Sequence, residues 1–127
     1  MGLEEKRKLK EIQEGKLKET LEKIKSLVGV DIPIELDVAS FPTASTLDSV
    51  QYSGFSSLVQ AIEEVAKDDL GKEALKESLK KIVFKNLPNN ESSKATFEGG
   101  VLTNESTWGG GSYAGYGDMS SALTAKL

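Results

Sequence analysis

Cysteine and histidine are both absent from this chain of 127 residues. Without cysteine there is no thiol nucleophile, Fe–S cluster, cysteine zinc site or disulfide framework. Without histidine, the Ser-His-Asp and Cys-His nucleophile systems are excluded. The usual general base near neutral pH and the histidine ligands of most catalytic zinc sites go with them. Any chemistry falls to Asp, Glu, Lys, Tyr or Ser, and no cofactor or metal is expected. Long hydrophobic runs are missing too. No stretch approaches the ~18 apolar residues of a membrane span, and Met1 to Glu14 is densely charged with no apolar signal-like core. The expectation is a cytoplasmic protein without membrane association.

What is present suffices for one fold. At this length a single domain over 1–127 is expected, hiding very roughly two thirds of the surface of the unfolded chain. Leu, Ile, Val and Phe number 33, about a quarter of the chain and above the roughly one fifth that marks intrinsic disorder. Charge is unevenly placed. Residues 1 to 28 hold eight Lys/Arg against six Asp/Glu, whereas residues 29 to 127 hold eight against fourteen. A body of that sign repels phosphate backbones, and the basic N-terminal stretch has no interleaved aromatics to stack on bases, so nucleic acid is excluded as a partner.

Leu3 to Val28 reads as one helix, with Leu17, Leu21, Ile24, Leu27 and Val28 at three- and four-residue steps and Leu3 and Leu9 at the edges of the stripe. Glu4–Lys8, Glu14–Lys18 and Glu19–Lys23 form i,i+4 pairs in the favourable order. Gly15 weakens the middle, by about 1 kcal/mol relative to Ala. Residues 1–16 are therefore expected either to fray or to pack on a second copy as a homodimer. Gly29 is a natural stop. Asp31 to Ser40 alternates, with Ile32, Ile34, Leu36 and Val38 on one face, which predicts a half-buried strand. Pro33 places that strand's start or edge there.

Phe41 to Ser57 is polar and predicts a loop with a helical turn near Leu47 to Val50. Ser57 and Gln60 have capping-box spacing, opening a helix through Leu58, Val59, Ile62 and Val65 that ends near Asp69. Gly71 separates it from a helix carrying Leu75, Leu79 and Ile82. Ile82 to Leu87 is a strand stopped by Pro88 and the turn-forming Asn89 and Asn90. Lys94–Glu98, Gly99-Gly100 and Val101–Thr107 form the strongest local signal. It is a hairpin closed by two residues tolerant of positive φ, with Phe97 facing Leu102 on the core side. Asp118 caps a short last helix through Leu123 to Leu127. The order α-β-α-α-β-β-β-α predicts a two-layer α+β domain: an antiparallel sheet of about four strands with helices packed on one face.

Most motif matches are coincidental. Gly109, Gly111 and Ala114 satisfy G-x-G-x-x-A, but no βαβ unit of about thirty residues surrounds them, as a dinucleotide site needs. Gly71-Lys72 lacks the glycine and hydroxyl of a phosphate loop. Asn90 and Asn104 stand in N-x-S sequons without an export signal. Glu63, Glu64, Asp68 and Asp69 have no calcium-loop spacing and read as solvated surface. Glu35 and Asp37 share one strand face with β-carbons roughly 7 Å apart. They are candidates for acid/base work or metal ligation in a small hydrolase or lyase, with Tyr52 or Tyr113 as donor, although a solvated sheet face is the ordinary outcome.

The functional lead is the loop 108–118. Five of the twelve glycines fall in residues 109–117, among Ser112, Tyr113 and Tyr116 and just after Trp108. Gly gives backbone freedom, Ser adaptable hydrogen bonds, and Trp and Tyr rigid amphipathic area, the mixture of good binding loops. The sequence favours burial of Trp108 as the end of the hairpin strand and leaves Tyr113 and Tyr116 as contact residues. The leading expectation is a non-enzymatic binding module in which Trp108, Ser112, Tyr113 and Tyr116 meet a protein, peptide or saccharide partner. The alternatives are a Glu35/Asp37 hydrolase or lyase and an acidic scaffold or inhibitory partner.

Overall fold

The computed structural model describes residues 2–88 and 91–127. Helices α1 (Leu3–Glu14) and α2 (Lys16–Val28) lead into β1 (Ile34–Leu36). After it come α3 (Ala44–Ser49), α4 (Phe55–Val65) and α5 (Asp69–Ser78). Strands β2 (Lys81–Asn86), β3 (Lys94–Glu98) and β4 (Val101–Ser106) precede α6 (Tyr116–Lys126). Helices and one sheet make an α+β protein, but the sheet is mixed, not antiparallel. Its order is β1-β2-β4-β3, with β1 parallel to β2, β2 parallel to β4, and β3 antiparallel to β4 at the edge. The run α3–α5 is the crossover that parallel neighbours β1 and β2 require. The hairpin then folds β4 inward beside β2 and leaves β3 outside.

Register explains the core. Ile34, Ile82, Leu102 and Phe97 lie in one row across the sheet, and Leu36, Phe84, Asn104 and Ala95 in the next. Ile82, Phe84, Leu102, Asn104 and Phe97 are buried. The opposite face carries Glu35, Lys81, Val83, Lys85, Thr96, Thr103 and Glu105, all half-buried or exposed. Phe97 pairs with Leu102 as the hairpin pattern predicts, and Gly99 and Gly100 take φ of +59° and +82°. Two left-handed residues in succession match the right-handed twist of the flanking strands. Pro33 precedes β1 at the sheet edge, where its carbonyl accepts from the Ile82 amide at 3.0 Å and no N–H is needed.

Several local expectations are corrected. The first helix is two helices, broken at Gly15, whose φ of −118° and ψ of −98° are not helical. Helix α1 is docked rather than frayed: Ile12 is fully buried in the core, and α1 packs on α3. Lys8 bridges Glu11 at 2.8 Å and Asp48 of α3 at 3.0 Å, in place of the anticipated Glu4 pair. Hydrogen bonds to Glu11 and then Asp48 hold the Lys8 ammonium above its ordinary value. A raised ammonium contributes stability throughout the range below its unfolded value and loses it only in strong alkali.

Strand β1 is three residues long because Val38–Ser40 turns into a 3₁₀ helix, although Ile32 still reaches the core. The polar stretch 41–57 is mostly helical. Thr43 caps α3 through the Thr46 amide at 3.2 Å, and Thr46 returns a bond to the Thr43 backbone. A π-helical turn over Val50–Gly54 joins α3 to α4 without leaving the helical region, so Ser57 lies inside a helix and caps nothing. Gly71 is likewise inside α5, where its amide donates to the Asp68 carboxylate at 2.8 Å. Asp68 is thus an N-cap rather than a solvating charge. Helix α6 begins at Tyr116, earlier than expected. Asn90 of the first sequon lies outside the described residues, and Asn104 of the second is buried.

Ile12 gives the test of α1. Ile12→Ala should lower the unfolding free energy by about 2–5 kcal/mol, as truncation of a fully packed core residue does, whereas Leu3→Ala, at 62% exposure, should stay within about 0.5 kcal/mol. Equal urea midpoints for the two variants would mean that α1 is not part of the core.

Candidate functional site

Strands β1, β2 and β4 all run the same way, and the glycine-rich segment leaves the carboxyl end of β4. In open sheets with parallel strands, ligands bind beyond the carboxyl ends. Here that end is built by buried polar groups. Asn104, fully buried, donates its side-chain amide to the Ala114 carbonyl at 2.9 Å and towards the Met119 sulfur at 3.5 Å. The Ser106 hydroxyl donates to Asn104 Oδ1 and accepts the Ala114 amide at 2.9 Å. One residue on, the Thr107 amide donates to Ser93 Oγ at 3.0 Å, and the Ser112 carbonyl lies 2.7 Å from both the Thr107 and Ser93 hydroxyls. Among the described residues every buried side-chain polar atom has a partner, as native interiors require.

Trp108 is the other anchor. It is 2% exposed, its indole Nε1–H donates to the Lys85 carbonyl at 3.1 Å, and its backbone amide donates to Asn86 Oδ1 at 3.2 Å. The ring sits among Phe84, at a centroid distance of 6.1 Å, Tyr113 and Gly54. At Gly54 a Cβ would lie 3.0 Å from Trp108 Cη2 and 3.1 Å from Phe84 Cε1, so a side chain at this point of the π-helical turn would press on both rings. Tyr113 stacks on Trp108 with centroids 5.4 Å apart and planes 15° from parallel, and remains 41% exposed. With one face on a buried indole, Tyr113 offers its other face and edge to solvent.

That exposed ring lines a groove of about 450 Å³, together with Glu91, Ser92, Ser93, Thr107, Gly110, Ser112, Ala114 and Asp118. Asp118 Oδ2 also accepts the Gly115 amide at 3.1 Å, which fixes the start of α6. Two of the four residues expected in a binding loop, Ser112 and Tyr113, are therefore brought together. Trp108 lies beneath them as support, not as a presented side chain. Tyr116 is 54% exposed on the first turn of α6, away from the groove lining. Glu91 and Ser93 escape sequence reasoning as lining residues because the chain folds them in from the β2–β3 connection, and Asp118, at the end of the loop, is expected only as a helix cap. Asn104 and Ser106, which hold the loop in place, carry one signal: they are polar residues at inward positions of a strand whose neighbour Leu102 points to the core.

The carboxylate pair is not assembled. Glu35 is 57% exposed and bound to Lys81 at 2.6 Å. Asp37 lies past the end of β1, where its amide donates to the Phe84 carbonyl and its own carbonyl accepts from Ser40. Neither lines any of the five grooves of about 340–450 Å³ among the described residues, and Tyr52 is 66% exposed on the π-helical turn. Among the described residues no group of three or more acidic side chains is arranged to hold a metal ion, and no helix is long and apolar enough to cross a membrane. No protein-family model, curated protein or solved structure matches this chain.

Two substitutions test the construction of the site. Tyr113→Ala removes a stacked pair worth ~0.5–1.5 kcal/mol and uncovers the indole. The emission of the single tryptophan should shift to the red and become readily quenched by acrylamide; an unchanged spectrum would mean that Tyr113 does not cover Trp108. Asn104→Ala should cost about 1–3 kcal/mol, because it strips partners from the buried Ser106 hydroxyl and Ala114 carbonyl. Thr103→Ala on the open face should be nearly neutral by the same chemical denaturation.

Proposed function

We propose that this protein is a non-enzymatic binding module: a single two-layer α+β domain, with helices on one side of the sheet, that receives a protein or peptide segment in the groove beside Tyr113. One observation carries the reading. An aromatic ring is fixed by stacking on a buried tryptophan and left open to a polar groove beyond the carboxyl end of β4. Preorganised aromatic surface loses little entropy on association, and tyrosine is among the residues most enriched where binding energy concentrates. Ser92, Ser93 and Ser112 add adaptable hydrogen-bonding groups to the same groove.

Catalysis has less support. The carboxylates considered for it are an exposed ion pair partner and a backbone turn residue, with no cleft joining them. Dimerisation through the first helix also has little to build on, since Ile12 is spent on the core of the same chain.

The test is selection from a random peptide library displayed on phage, followed by titration of the enriched peptides against the native protein and Tyr113→Ala. We expect ligands whose affinity falls at least about tenfold in the variant, the loss typical of an aromatic hot spot. Ligands indifferent to Tyr113, or ligands only from a parallel saccharide array, would overturn a peptide-binding groove at this loop.

A further inference from the structure

The charge of the groove specifies its guest more narrowly. Glu91 and Asp118 line it, and among the described residues no Lys or Arg does. The chain as a whole carries a net charge of −4. We propose that the groove takes an arginine side chain of the bound segment, its guanidinium lying on the exposed face of Tyr113 and pairing with the Glu91 and Asp118 carboxylates. This rests on the reading of the loop as a peptide-binding groove and adds the chemistry of the anchor.

Three features converge on arginine. A planar cation is attracted to the face of an aromatic ring, and guanidinium stacks where an ammonium does not. Tyr113 presents such a face at a fixed angle, because its other side is held at 15° to the Trp108 plane. Carboxylates bind the guanidinium fork through charge-assisted, often bidentate hydrogen bonds. Asp118 has one oxygen engaged by the Gly115 amide, which steers the carboxylate without using its second oxygen. Finally, a groove of about 450 Å³ has room for the side chain and the backbone beside it. A neutral guest of the same shape would use the ring and the serines but would leave two carboxylates without a counter-charge.

The probes are N-acetyl-L-arginine amide and its citrulline counterpart, which has nearly the same shape and no charge. Both are titrated into the isotopically labelled full-length protein, and backbone amide shifts are followed by NMR. The arginine probe should give saturable shifts at Ser93, Ser112, Tyr113 and Asp118. Citrulline should bind at least roughly tenfold more weakly, because its neutral ureido group forms no ion pair with the two carboxylates. Arginine binding should weaken as salt is raised from about 0.05 to 0.5 M. Glu91→Gln combined with Asp118→Asn should bring arginine down to the citrulline level, and Glu91→Gln alone, on an exposed residue, should give a partial loss even if the double variant unfolds.

Equal shifts from arginine and citrulline would overturn the cationic anchor. So would stronger binding of methyl glucoside at the same amides, or library peptides that need Tyr113 yet contain no arginine. Each of those results leaves the groove standing as a binding site. Silence of these amides to every probe and to every selected peptide would overturn both the anchor and the groove.

Discussion

The burial of Trp108 is the constraint from which the rest of the structure can be followed. Its indole occupies the space between Phe84 of β2, Gly54 of the π-helical turn and Tyr113 of the loop, and its two N–H groups are taken by Lys85 and Asn86 at the end of β2. Asn86 in turn donates its side-chain amide to the Ser40 carbonyl, while its backbone amide donates to Ser40 Oγ, which joins the turn after β1 to the same point. Trp108 and Asn86 thus bring together the ends of β2 and β4, the turn after β1, the helical crossover and the glycine-rich segment. The absence of a Cβ at Gly54 leaves room for the Trp108 and Phe84 rings.

Ordering a glycine-rich loop is costly, since glycine loses more backbone freedom on folding than any other residue. The cost is offset by groups that have no alternative. Asn104, Ser106 and Thr107 are buried, and in a low-dielectric interior an unmade hydrogen bond is more expensive than a made one is favourable. The loop backbone at Ser112 and Ala114 supplies the missing partners. Loop and strand end therefore satisfy each other. The aromatic Tyr113 is held by that arrangement in the one place where it both covers Trp108 and lines a groove.

Much of the architecture was legible where short-range rules decide it. Two adjacent glycines set the hairpin and its register, the stripe Ile24–Val28 set α2, and Pro33 marked a sheet edge. The direction of the strands was not legible. Parallel strands usually run continuously apolar because both faces are covered, but β2 alternates Lys81, Val83 and Lys85 with Ile82 and Phe84, the pattern of an antiparallel sheet open on one side. Ile12 was missed because it stands alone among charged residues, and α3 because its start is a Thr43–Thr46 box in a segment otherwise polar. As for the candidate site, composition singled out the segment whose Ser112 and Tyr113 line the groove, and the expected burial of Trp108 agrees with the structure. Glu91 and Ser93 come from the β2–β3 connection and are joined to that segment only by the fold.

A loop locked in this way differs from a mobile glycine connection in one directly observable property. Native-state hydrogen exchange of the Ala114 amide and the Trp108 indole N–H measures it residue by residue. Both protons should be protected nearly as well as the amides of β4, exchanging only when the whole domain opens. Exchange at the rate of a solvated loop, with β4 itself protected, would show that Tyr113 is not held in place and would contradict the preorganised groove.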